Sequence, residues 1–240
     1  MYKILVAFIM CAGLLLVLSL ASLHNFVDQL YPWVARLLPL ERNMIESDKY
    51  RKLLNQYEQN YSRIKQADYL FLGDSHIQYF NTATYFSNSN IINYGIAGDT
   101  TRGVLQRLPS VQTKTSIKKG VLFMVGYNDL KYKDVQEIIN EHRQLITMAS
   151  KQLHIPVSKI VLQSLLPVSR ERTYVNGSIV RINQAAKTLC AELGCVFLDF
   201  YSFFTSPEGG LNDRYSRDGV HLNHLGYELW ASLLKKSLTI

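Results

Sequence analysis

Residues 68–79 read DYLFLGDSHIQY. The apolar run Tyr69 to Leu72 has the length of a buried strand, stops on Gly73-Asp74-Ser75, and is followed at once by His76. Such a cluster is an ordinary turn or a hydroxyl held at a strand end, and the rest of the chain decides which.

Outward from this stretch the pattern is regular. Apolar runs of strand length recur at Ile91–Ile96, Val121–Val125, Ile160–Leu166 and Val196–Phe200. Helical stretches lie between them: a short one at Thr101–Leu108, a long one at Asp134–Leu153 with Val135, Ile138, Ile139, Leu145, Ile146 and Met148 on one face, and Asn176–Leu193. A last helix runs from about Asn223 to Leu238. Strands alternating with helices predict an α/β fold with a five-stranded parallel sheet covered on both faces. In such sheets the ligand crevice lies beyond the carboxyl ends of the strands. The unusual polar residues fall there: Gly73-Asp74-Ser75, then GIAGDTT at 95–101, then GYND at 126–129, then 167–172, and finally RDGVH at 217–221 ahead of the last helix. Any one of these alone reads as a cap or loop. Together they hold a hydroxyl, amide donors and a base.

Four blocks, FLGDSH at 71–76, NYGIAGDTT at 93–101, VGYNDL at 125–130 and DGVHLNHLGY at 218–227, occur in order, each at an expected strand end or before the last helix. On these blocks the sequence resembles the SGNH (GDSL-like) hydrolase family from Leu70 to Trp230. The resemblance implies a flavodoxin-like three-layer α/β/α sandwich, hydrolysis of acyl esters, and no metal or organic cofactor. Carried over by position, Ser75 is the nucleophile, His221 the general base and Asp218 its orienting carboxylate. The oxyanion donors are the backbone N–H of Ser75 and Gly98 and the side-chain amide of Asn128. Serine is a weak nucleophile until a base takes its proton. An imidazole does this near neutral pH, and a carboxylate three residues away fixes its tautomer. Two departures bear on specificity. Tyr127 fills a variable position and is expected to line the crevice. His76 stands where the family often has an aliphatic residue. Because adjacent side chains point apart, His76 is expected on the substrate side or the surface, not as a second base. Asp74 and Asp129 are expected to hold loops, and Arg170 and Arg172 either face the crevice or sit in a solvated loop.

Ile4 to Ala21, ILVAFIMCAGLLLVLSLA, carries no charge and follows Lys3. It is close to the shortest stretch that spans a bilayer and longer than the usual signal-peptide core. It is expected to be an uncleaved membrane anchor with the body extracytoplasmic, periplasmic or at the cell surface. Cleavage after Ser19-Leu20-Ala21 would make the protein secreted. The expected organisation is an anchor or signal segment at 1–22, a juxtamembrane and spacer helix segment at 23–66, and the hydrolase domain at 67–240. Tyr57, Tyr61 and Ile64 belong to the spacer's apolar stripe.

Composition removes several classes. Apolar residues are 48% and charged residues 19% of 240, too apolar for a disordered chain. The net charge of +7 is scattered, with no Lys/Arg run longer than two, so nucleic acid is not an expected partner. A glycan or lipid acyl ester is. The three cysteines form no zinc spacing. Cys190 and Cys195 are expected as two buried thiols, with a disulfide as the alternative in an oxidising compartment. The expected function is an extracytoplasmic serine esterase acting through an acyl-enzyme on a glycan or cell-envelope component. The alternatives are a lysophospholipase- or thioesterase-like lipid acyl hydrolase, and a non-catalytic glycan- or partner-binding domain.

Overall fold

The computed structural model describes residues 47–87, 90–111 and 115–238. The expected N-terminal hydrophobic helix lies outside these residues, as do residues 1–46 of the expected anchor and spacer. Among the described residues no helix is long and apolar enough to cross a membrane.

Five parallel strands, β1 (Gln66–Gly73), β2 (Ile91–Gly95), β3 (Ser116–Met124), β4 (Ile160–Gln163) and β5 (Val196–Leu198), form one sheet in the order β2-β1-β3-β4-β5. Successive residues of β1 face opposite sides, and the two sides join different cores. Leu70 and Leu72 pack with Val121, Phe123 and Leu162, beneath helices α5 (Val135–Gln152) and α6 (Asn176–Leu193). Tyr69 and Phe71 pack with Leu122, Met124 and Val161, against Phe80 and the final helix α8 (His224–Ser237). Three layers follow from this alternation, and the apolar run at 69–72 is continuous because both faces are covered.

Local chemistry sets the element ends. Asp134 and Glu137 form a reciprocal capping box at the start of α5, with bonds of 2.9 and 2.8 Å. The last strands are shorter than their apolar runs. At Leu165 the sheet partner is replaced by the Asn183 side chain of α6, which accepts from the Leu165 N–H at 2.8 Å and donates to its carbonyl at 2.9 Å. Strand β3 begins earlier than its apolar run, because Ser116–Gly120 pairs with β1 beside polar, exposed positions.

Helix α1 (Asp48–Tyr61), capped by Ser47, packs its tyrosines on this body. Tyr57 donates to the Gly95 carbonyl at 2.5 Å and Tyr61 to that of Asn93 at 3.2 Å. Cys190 and Cys195 are joined in a disulfide rather than standing as two thiols. The α6 terminus explains the correction: Gly194 takes a left-handed φ of +81° and turns the chain back at once, which carries Cys195 against Cys190.

The register decides where chemistry can sit. Gly73 of β1 pairs with Gly95 of β2 and Met124 of β3. The segments starting at Asp74, Ile96 and Val125 therefore leave the sheet side by side. Gly95 is required by proximity, since a Cβ there would strike the backbone N of Gln78 in the short helix α2 (Ser75–Gln78).

Candidate active site

Ser75 is the first residue of α2 and is nearly buried. Asp74 caps that helix, its carboxylate accepting from the His76 N–H at 3.0 Å. Ser75 Oγ lies 3.1 Å from His221 Nε2, and His221 Nδ1 lies 2.7 Å from Asp218 Oδ2. A tight loop shapes the second half of this chain. Asp218 Oδ1 accepts from the backbone N–H of His221 at 2.8 Å and of Val220 at 3.0 Å. Gly219 donates to Ser216 Oγ at 2.7 Å, and Arg217 donates to the His221 carbonyl at 2.9 Å. Partial burial pushes the Asp218 carboxyl up. The His221 ring, those two backbone N–H groups and the nearby imidazole outweigh it and hold Asp218 well below the ordinary carboxylate range.

The groups expected as oxyanion donors meet at one residue. Gly98, at a φ of +84°, sits in a turn closed by the Asp99 N–H donating to the Ile96 carbonyl at 3.0 Å. That φ is one that side chains other than glycine's rarely adopt. Asn128 Nδ2 donates to the Asp99 carbonyl at 3.1 Å, leaving its second amide hydrogen for another acceptor. Among the described residues no acceptor takes the N–H of Ser75 or Gly98.

Asp129 is fully buried. It accepts from the Thr101 N–H at 2.9 Å and from Lys133 Nζ at 2.9 Å, tying the loop after β3 to the loop after β2. Lys133 continues to Glu141 at 2.7 Å. Asp129 and Asp74 thus hold loops, as expected from sequence. Burial, opposed by Lys133, pushes the Asp129 carboxyl up to about 6.

His76 departs from the sequence expectation. It is 5% exposed, so it is not a surface histidine, and its ring lies 6.0 Å from that of His221. Its Nε2 donates to the Val220 carbonyl at 3.0 Å, its Nδ1 is 3.6 Å from Asp74, and its own carbonyl accepts from the Tyr227 hydroxyl at 3.0 Å. His76 is a clip between the Ser75 turn, the 218–221 loop and the last helix. The backbone becomes helical at Ser75, so the next side chain is rotated about 100° rather than 180° and turns inward.

Tyr127 is half-buried, and burial raises its hydroxyl, with Arg172 pulling it down and Tyr174, Asp74 and Asp218 adding to the rise. Its ring packs against the core beneath α5 and α6, and it directly precedes Asn128. Arg170 pairs with Asp213 at 3.7 Å. Several residues were not singled out from sequence. Tyr79, one helical turn after Ser75, places its half-exposed ring edge-on to His221 at 5.6 Å. His142 is buried beneath the GYND loop, bonded to the Val125 carbonyl at 3.0 Å, and burial lowers its imidazole to about 4. Arg107 and Tyr50 converge on Asp99. Only Tyr79 carried a sequence signal, its i+4 spacing from the serine.

A serine hydroxyl, an imidazole and a carboxylate in one hydrogen-bonded line, at the carboxyl edge of a doubly covered parallel sheet, form the arrangement that serine hydrolases use. The family model for the GDSL-like Lipase/Acylhydrolase family matches residues 71–229. The chain belongs to that family and is an SGNH-type ester hydrolase. Among curated proteins it is similar to platelet-activating factor acetylhydrolase IB subunit alpha2 of Rattus norvegicus, 29% identical over 168 residues that cover 68% of this chain and 72% of that one. Among solved structures it is similar to a candidate platelet activating factor from Streptococcus pneumonia, at TM-score 0.71 and 27% identity, covering 78% and 91% of the two chains. A GDSL-like lipase from Bacteroides thetaiotaomicron shares the fold at TM-score 0.63 and 19% identity, over 77% and 96%.

Proposed function

We propose that this protein is an extracytoplasmic serine esterase that removes short acyl groups from a glycan or another cell-envelope component, with Ser75, His221 and Asp218 as its catalytic residues. The line from Ser75 Oγ through His221 to Asp218, at 3.1 and 2.7 Å, carries the reading. Ser75 Oγ attacks the ester carbonyl carbon while its proton passes to His221 Nε2. The carbonyl electron pair moves onto oxygen, where the N–H groups of Ser75 and Gly98 and the Asn128 amide receive it. Donors aimed at that oxygen are typically worth about 3–4 kcal/mol each. Collapse expels the alcohol, which takes the proton from His221. Water then repeats the sequence on the acyl-enzyme, and the carboxylic acid leaves. Asp218 keeps the imidazole in the required tautomer and stabilises it when charged.

A short acyl group is favoured because, among the described residues, the loops that leave β1, β2 and β3 run directly into helices and add no apolar lid. A sugar-bearing alcohol is favoured by the half-exposed ring of Tyr79 beside His221, which offers a stacking face. The extracytoplasmic address is supported by the uncharged run Ile4–Ala21 and by the Cys190–Cys195 disulfide, a bond that persists in oxidising compartments. Tyr127 then binds substrate, and the N-terminal segment tethers the enzyme to the membrane.

The name of the curated relatives favours one second reading, an acetyl ester on a phospholipid. The test is hydrolysis by the full chain of p-nitrophenyl esters of increasing length, an acetylated oligosaccharide and an acetylated phospholipid. The proposal expects kcat/KM to fall steeply beyond acetate or propionate and the oligosaccharide to be deacetylated. Preference for the phospholipid selects the second reading. Preference for long acyl chains contradicts the short-acyl assignment.

A further inference from the structure

Helix α1 precedes the family-matched residues 71–229, yet it reaches the floor of the crevice. Asp99 is the point of contact. Its carbonyl holds the Asn128 amide, and its backbone directly follows Gly98. Two of the three proposed oxyanion donors thus depend on where Asp99 sits. Its carboxylate is completely buried and held from two elements. Arg107, from helix α4 (Thr101–Arg107), donates Nε to Oδ2 at 2.8 Å and Nη2 to the Gly73 carbonyl at 3.1 Å, two residues before the nucleophile. Tyr50, from α1, brings its buried hydroxyl to 3.3 Å from both carboxylate oxygens. Space there is tight: a Cβ on Gly103 would strike Asp99 Oδ1.

We infer that α1 is a working part of the esterase, with Tyr50 a positioning residue that fixes the oxyanion loop through Asp99. The inference rests on the esterase reading above. A buried carboxylate that loses a donor shifts or takes up a proton, because its desolvation is no longer matched. Either response moves the Asp99 backbone, and with it Gly98 and Asn128. Burial already pushes Asp99 up to about 6 against the pull of Arg107, the Thr100 N–H and Tyr50. Burial, with Asp99 beside it, raises the Tyr50 phenol, which keeps it a donor. Removing the Tyr50 hydroxyl raises Asp99 further, so more of it is neutral near pH 6.

The test is Tyr50→Phe in the full chain, beside Tyr61→Phe, whose hydroxyl donates to the Asn93 carbonyl, and Ser75→Ala. On p-nitrophenyl acetate, Tyr50→Phe is expected to lower kcat about 10-fold with KM within about twofold, as for a group that acts only in the transition state. The acid limb of its pH–rate profile moves to higher pH, and Tyr61→Phe keeps wild-type kcat. Should Tyr50→Phe not fold, 4-aminophenylalanine at position 50 supplies a weaker donor at the same place and is expected to give an intermediate kcat. Wild-type kcat and pH profile in whichever position-50 variant folds, or an equal loss in Tyr61→Phe, overturns the inference. Activity retained in Ser75→Ala instead overturns the assignment of Ser75 as nucleophile on which the inference rests.

Discussion

Asp218 and Asp99 both serve the crevice, and they are held in opposite ways. The Asp218 side chain is half exposed and finds its partners within three residues, in the N–H groups of Val220 and His221 and the His221 ring. Asp99 is fully buried and is held by Arg107, eight residues on, and by Tyr50, 49 residues back. The base side is a local motif in partial contact with water. The side proposed to hold the oxyanion is a dry assembly of charges drawn from distant segments. The first should be changeable without loss of stability, whereas the second should couple stability to catalysis.

The largest expected effect breaks the base side alone. Asp218→Asn should lower kcat roughly 10³–10⁴-fold by favouring the wrong imidazole tautomer. Its urea midpoint should stay near wild type, because the Asp218 side chain is half exposed and an asparagine oxygen still accepts from the Val220 and His221 N–H groups. Asp99→Ala tests the other side. It strands the buried Arg107 charge, whose Nη1 already has no partner among the described residues, and should cost about 3–5 kcal/mol in urea unfolding. If the two variants lose equal stability, the contrast fails.

A subtler prediction concerns acid. His142 is held neutral by burial, at about 4 against an ordinary 6.5. The unfolded chain therefore binds a proton that the native chain refuses. This stability is fully present above about pH 6.5 and is lost as pH falls toward 4. Asp99 and Asp129, both raised to about 6 by burial, act with the opposite sign in the lower part of that window. His142→Gln keeps a donor for the Val125 carbonyl and removes only the first effect. Its stability should gain on wild type by on the order of 3 kcal/mol between pH 7 and pH 4. An identical pH dependence in the two chains would show that His142 is not buried neutral. The smallest expected effect lies away from the site. Cys190→Ser should cost about 2 kcal/mol, the chain-entropy value for closing so short a loop, and should leave kcat unchanged.

The same contrast explains what could be read in the sequence. The parallel sheet was legible because each strand is an apolar run stopped by a polar cluster, and Gly73, Gly95 and Met124 end in register. Ser75, Asp218 and His221 were named through the family resemblance of the GDS and DGVH strings, and the fold brings the three into one hydrogen-bonded line. Tyr50, Arg107 and His142 were not, because each matters through a partner that the fold alone supplies. The surface alternative for His76 failed because alternation was assumed one residue too far: helix α2 had already begun, and the side chain is buried.

The central claim is that Ser75 carries the acyl group. Acid-quenched mass spectrometry of the full chain after mixing with p-nitrophenyl acetate tests it most directly. The account predicts an acetyl adduct on the peptide containing Ser75, with Ser75→Ala forming none and losing at least ~10³-fold in turnover. An adduct on another residue, or turnover that survives in Ser75→Ala, would contradict it.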